Sequence, residues 1–206
     1  MSVLLIPDFG DDGDAWRAAA PAGWEVLALP GHGHAPAPRS GHYDPMAAVT
    51  LARWAIGPDP TGWTVVGVGE SAHTALMLAG GDLCESVVIV DGLWGAIPTA
   101  EEAVDEMYAM IRDLADDPAA VGPAPVGAVD PRTSHGYGVT ISTLFLQRFW
   151  AGVTIPVLAI ETPASVTPPA EREQRLAWFG GEVRLVELEV GDAAAVIDAC
   201  AAAPRW

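Results

Sequence analysis

Apolar residues in this chain come in short dense runs, separated by Pro, Gly and Asp. Val3 to Ile6 is the first, ended by Pro7, Asp8 and Gly10. Trp24 to Leu29, Trp63 to Val68, Val87 to Val90, Thr154 to Ile160 and Val183 to Leu188 follow. Apolar runs of about four to eight residues bounded by turn residues fit strands that are covered on both faces. Helical segments fall between them. Asp12 or Asp14 is placed to cap one over about 15–20, Pro45 to open one running to about Ile56, and Ala72 to Ala79 forms a third. "PPAEREQRLAWFG" reads as another, with Gly180 past its end, and about Ala193 to Ala202 as the last. Strands alternating with helices predict a single three-layer α/β domain over 1–206, built on a mostly parallel sheet of about six strands.

One interval breaks the alternation. Between Asp91 and Thr154 no strand is expected. Glu101 to Asp116 reads as a helix, with Val104, Met107, Ile111 and Leu114 on one face, and a second covers about Val139 to Trp150. An insertion after a strand's C-terminal end lies over the ligand-binding edge of such a sheet. Residues 92–153 are therefore expected to form a helical lid or pocket wall. The alternative is a helical pair that only completes the fold.

Composition narrows the partners. Among 206 residues, 27 are acidic and 10 basic, for a formal net charge of -17. That balance argues against nucleic acid or an anionic membrane surface. The two cysteines, Cys84 and Cys200, form no close pair of the kind metal or redox motifs use. The N-terminal apolar run is too short for a signal peptide, and no stretch is long enough to span a bilayer. A soluble cytoplasmic protein is expected, with no cofactor and no metal. Its partner is expected to be a small-molecule or peptide-like substrate, with a cationic one and a homo-oligomer both left open.

The stretch "VVGVGESAHTALMLAG" joins a strand to a helix through a tight turn. G-x-G-x-x-A invites a dinucleotide reading, but the turn follows an internal strand and lacks the acidic residue expected about 20 residues on. A nucleophile elbow fits better: the turn lifts Ser71 above the sheet and aims the Ala72 N–H at a developing oxyanion. Gly69 then serves as one flanking glycine, and His73 stands in place of the other.

At these residues the whole chain resembles the α/β-hydrolase fold superfamily. "VLLIPDFGDDGDAW" is similar to the family's first parallel strand and oxyanion loop, and "VLALPGHGHAPAP" to its "DLPGHGxS" block. "VVGVGESAH" is similar to the "GHSxGG" elbow, "SVVIVDG" to the following strand, "TIPVLAIETPASVTPP" to the strand leading to the acid, and "RLVELEVGDAAAVIDAC" to the strand and loop carrying the histidine. The resemblance implies Ser71 as nucleophile, with the N–H groups of Phe9 and Ala72 as oxyanion donors. It also implies an atypical member. Ser165 stands near the place of the acid, with Glu161 the nearest carboxylate, and Asp192 stands in place of the histidine. The oxyanion loop has Pro7 and Asp8 for His-Gly, and a shortened N-terminus without the two leading strands of typical members is expected.

A degenerate triad needs substitutes. His73, His34 and His135 are candidate bases, while His32 reads as structural. Asp91, at the end of the strand after the elbow, is the candidate acid. Asp8, Glu70, Asp91, Glu161 and Asp192 all fall at or beyond strand C-terminal ends, the site edge of this architecture. Crowded carboxylates there would suit an amine-bearing ligand or act as acid–base groups with raised pKa values. Phe9, Trp94, Tyr108, Tyr137, Phe145 and Trp150 are candidate apolar walls, with Trp94 and Phe145 foremost. Three functions are consistent with these residues. One is a hydrolase cleaving an ester, thioester or amide through Ser71. Another is a non-hydrolytic epimerase, lyase or cyclase of natural-product biosynthesis. The third is a silent binding or accessory protein.

Overall fold

The computed structural model describes residues 2–8, 10–32, 35, 45–93, 150–165 and 167–202. Six strands form one sheet: β1 (Ser2–Ile6), β2 (Trp24–Val26), β3 (Trp63–Val68), β4 (Ser86–Val90), β5 (Val157–Glu161) and β6 (Val183–Glu187). Their spatial order is β2-β1-β3-β4-β5-β6, and every pairing is parallel. Among the described residues the helices include α1 (Asp14–Ala19), α2 (Pro45–Ile56), α3 (Ala72–Gly80), α4 (Pro169–Leu176) and α5 (Ala193–Ala202). This is the expected three-layer α/β domain.

Two-residue alternation along the strands builds the layers. Leu4, Ile6, Val65, Val87, Ile89, Val157 and Ala159 pack with Ala48, Ala52 and Ile56 of α2 and Ala72, Ala75, Leu76 and Ala79 of α3. Val3, Leu5, Val66, Val68, Val88, Val90, Leu158 and Ile160 face the other way, onto Trp16 of α1 and Val196, Ile197 and Cys200 of α5. Apolar residues on both faces leave no polar face to solvate, which explains the near-continuous hydrophobic runs. The two edge strands, β2 and β6, differ: neither has a fully buried residue.

Boundaries differ from expectation in a consistent way. β2 stops at Val26 and not Leu29, and β5 starts at Val157 and not Thr154. Apolar residues outside the ladder (Leu29, Val153) are buried all the same, so burial extends past pairing. Trp150 is core: its ring stacks on Phe179 with centroids 5.0 Å apart. The expected lid over 92–153 lies, apart from residues 92–93 and 150–153, outside the described residues. Among the described residues no helix is long and apolar enough to cross a membrane.

The strand-to-helix joint is set by close packing at Gly67. A β-carbon there would stand 2.5 Å from the Ser71 carbonyl oxygen and 2.7 Å from the Ala72 Cα. Only glycine lets α3 lie so near the end of β3. Gly67→Ala should therefore destabilise the fold by about 1–3 kcal/mol, read as a lowered urea midpoint. An unchanged midpoint would show that the joint yields.

Candidate active site

Ile6 pairs with Gly67, so two residues further on Asp8 and Gly69 leave the sheet side by side. The turn that follows is a single 3-10 turn, Gly69–Ser71. Its left-handed residue is Gly69, with φ 53°. Ser71 has ordinary right-handed helical angles, φ -70° and ψ -9°, and is 2% exposed. The Ala72 N–H closes the turn on the carbonyls of Gly69 and Glu70. It is engaged within the backbone.

Asp8 completes the turn. Its Oδ1 accepts the Glu70 N–H at 2.8 Å. A β-carbon on Gly69 would overlap the same carboxyl group, 2.5 Å from Oδ2 and nearer still to Oδ1 and Cγ. The loop carrying Asp8 is tied down in turn. The Asp11 N–H donates to the Asp8 carbonyl at 3.0 Å, and the Asp11 carboxylate accepts from the Gly13 N–H and the Trp16 indole at 2.7 and 2.8 Å.

A second group of side chains gathers where β4 and β5 end. Both Asp91 oxygens are engaged by Thr162, one by its N–H at 2.7 Å and the other by its hydroxyl at 2.6 Å. Asp91 itself adopts φ 51°, a strained angle for a residue with a side chain. Glu161, 1% exposed, accepts a hydrogen bond from Ser165 and lies 3.5 Å from the Arg172 guanidinium. Arg172 also pairs with the exposed Glu187. Burial raises the pKa of Glu161; the Ser165 hydrogen bond opposes this, nearby Asp91 adds to it, and Arg172 opposes it. Among the described residues no three His, Cys, Asp or Glu side chains are grouped to hold a metal ion.

No protein-family model matches the chain, and no curated protein matches it. Solved structures do. A structure of the metagenome-derived lipolytic enzymes LipS and LipT matches at 18% identity and TM-score 0.70, covering 98% of this chain and 91% of that one. A thioesterase domain from the curacin biosynthetic pathway matches at 17% and 0.68, covering 98% and 88%. The enol-lactonase from Burkholderia xenovorans LB400 matches at 20% and 0.64, covering 97% and 86%. The fold is α/β-hydrolase-like. At such identities the likeness is one of architecture, and each site residue stands on its own geometry.

In an α/β-hydrolase-like elbow the lifted residue is flanked two positions away on each side by small residues. Here the left-handed residue of the turn is Gly69, flanked two positions away by Gly67 and Ser71. The motif takes Ser71 as the lifted residue; in the backbone Ser71 comes two residues after the left-handed Gly69 and ends the 3-10 turn at the N-cap of α3. Counting from the end of the apolar run at Val68 finds the apex, because it follows directly. Thr162 and Arg172 escape sequence reasoning, having no motif of their own, and Ser165 enters it only as the residue near the place of the acid.

The other candidates are distributed as follows. Glu70 is half-buried in the turn. His73 is 2% exposed in α3, and burial lowers its pKa to about 4. His32 is 3% exposed, with Nδ1 3.0 Å from the Pro30 carbonyl and its pKa lowered by burial. Asp192 is exposed and caps α5, accepting the Ala195 N–H at 2.8 Å. The structure brings Asp8 together with Glu70, and Asp91 with Glu161. Phe9, His34, Trp94, Tyr108, His135, Tyr137 and Phe145 lie outside the described residues.

Two titrations follow, with opposite signs. His73 is neutral in the fold down to about pH 4, whereas the unfolded chain protonates it below 6.5. Stability is therefore lost as pH falls from 6.5 towards 4, by on the order of 3 kcal/mol, and His73→Gln should remove that slope. Glu161 is raised from 4.5. Its contribution is full below that value and is lost as pH rises through the raised one, so Glu161→Gln should flatten the curve there. Denaturant unfolding from about pH 3.5 to 8 checks both. A His73 ring that titrates near its ordinary 6.5 by NMR would contradict the first.

Proposed function

We propose that the chain is a small-molecule enzyme on an α/β-hydrolase-like fold that works without a serine nucleophile. The observation that carries this is the left-handed Gly69 at the apex of the elbow. The residue that the turn lifts towards the site edge has no side chain to attack with. Ser71 lacks what a serine nucleophile requires. It is buried, the N–H after it is spent on the turn, and among the described residues no side chain hydrogen-bonds its hydroxyl as a base would. His73, two residues on, is buried where a protonated ring is strongly disfavoured. Proton transfer by carboxylates is the chemistry the remaining groups support. Carboxylates at Asp8, Glu70, Asp91 and Glu161 favour a neutral or amine-bearing substrate over an anionic one.

A fluorophosphonate probe tests the reading directly. The full chain should show no adduct on Ser71 by intact and peptide mass. Ser71→Ala should hydrolyse p-nitrophenyl acetate within about twofold of the parent rate, against the roughly 10⁴-fold loss seen when a working triad member is removed. An adduct at Ser71, abolished with the rate in Ser71→Ala, would return the chain to ordinary acyl-enzyme chemistry.

A further inference from the structure

We propose that Asp8 is the reacting group of this elbow, a general base whose carboxylate occupies the place a nucleophile's side chain would leave empty. The inference rests on the non-serine reading above and names the residue that carries it. Three observations converge on Asp8. A β-carbon at the apex would fall inside its carboxyl group, so this side chain takes the volume into which an elbow residue projects. The Glu70 N–H, the first donor after the apex, fixes Oδ1 at 2.8 Å and so sets the orientation of the carboxylate. The side chain remains half-buried and not sealed, as a group that must meet both water and substrate needs to be.

The same geometry disfavours a tetrahedral oxyanion held by the Glu70 N–H while Asp8 is charged, since two anions would share one donor. The step is therefore written with Asp8 taking a proton as charge develops. The carboxylate removes a proton from a water molecule. The water oxygen bonds to the acyl carbon of an ester. The acyl–oxygen bond to the leaving group breaks, and the proton on Asp8 passes to the departing oxygen. With a substrate bearing an acidic C–H, the same carboxylate takes that proton and returns it to the opposite face or to another atom. Protons and charge balance in both cases without a co-reactant other than water.

The experiment is p-nitrophenyl acetate hydrolysis by the full chain and by two variants, each checked for folding by circular dichroism. Asp8→Asn retains an acceptor for the Glu70 N–H but is not a base. Asp8→Ala empties the apex. We expect a loss of about 10²-fold or more in both, the usual range for a positioned base. Formate at high concentration should restore Asp8→Ala by about tenfold or more, seated on the same N–H, and leave Asp8→Asn unchanged because its amide fills the place. An Asp8→Asn rate equal to that of the parent chain overturns the proposal, and so does a loss in Asp8→Ala that formate does not relieve. Labelling of Ser71 by the fluorophosphonate would sink the earlier reading. An Asp8→Asn variant that keeps its rate with Ser71 unlabelled would sink this one alone.

Discussion

At the end of β3 one small volume is claimed by the Asp8 carboxyl group and denied to any side chain at position 69. That exclusion organises the site. It makes residue 69 a glycine, and glycine takes the left-handed angle without strain. The left-handed angle turns the chain sharply enough for the Ala72 N–H to reach back to Gly69 and for α3 to begin at once. The start of α3 then rests on Gly67, which brings the helix against the sheet and seats Ala72, Ala75 and Leu76 in the core. The Asp8 carboxylate also sits beside the N-terminal end of that helix, where negative charge is favoured.

Four carboxylates at one sheet edge have four different fates, and the donors around each decide which. Asp91 meets both donors of Thr162 and becomes a clamp between β4 and β5. Glu161 meets a serine hydroxyl and a shared arginine in a dry place, and its proton is held more tightly than in water. Asp192 meets the Ala195 N–H in the first turn of α5. Asp8 meets the Glu70 N–H in the elbow and keeps its exposure. Of the four, it is the one whose carboxyl group takes the volume a side chain at position 69 would fill.

The strands and layers were legible in the sequence because a parallel sheet buried on both faces writes itself as dense apolar runs. The strand–helix joint was legible too, since an apolar run ending in glycine is distinctive: Trp63 to Val68, then Gly69. What was not legible was which residue of the turn takes the left-handed angle. A motif search anchors on the hydroxyl at Ser71, whereas the backbone counts from the last paired residue, Val68. The partners of the acids were hidden for a different reason. Asp8 finds Glu70 across 62 positions and Asp91 finds Thr162 across 71. Composition places acids at an edge, but the donors that settle their protonation and reach arrive from other strands.

The β3–α3 turn accommodates a glycine at position 69 at little structural cost. A side chain at the apex of an elbow stores strain, roughly 1–3 kcal/mol for a non-glycine residue in the left-handed region. Glycine at 69 removes that strain, but without Asp8 it would leave a void and deprive the Glu70 N–H of this acceptor, each of which is destabilising. A carboxylate arriving from the neighbouring β1 loop settles both, filling the volume and accepting the hydrogen bond in one group. Neither hydrophobic layer is touched by the exchange, since none of the residues that line them is Asp8, Gly69 or Glu70. In the proposal above the reactive atom is delivered to the turn by the β1 loop, and the sheet and both hydrophobic layers stay as they are.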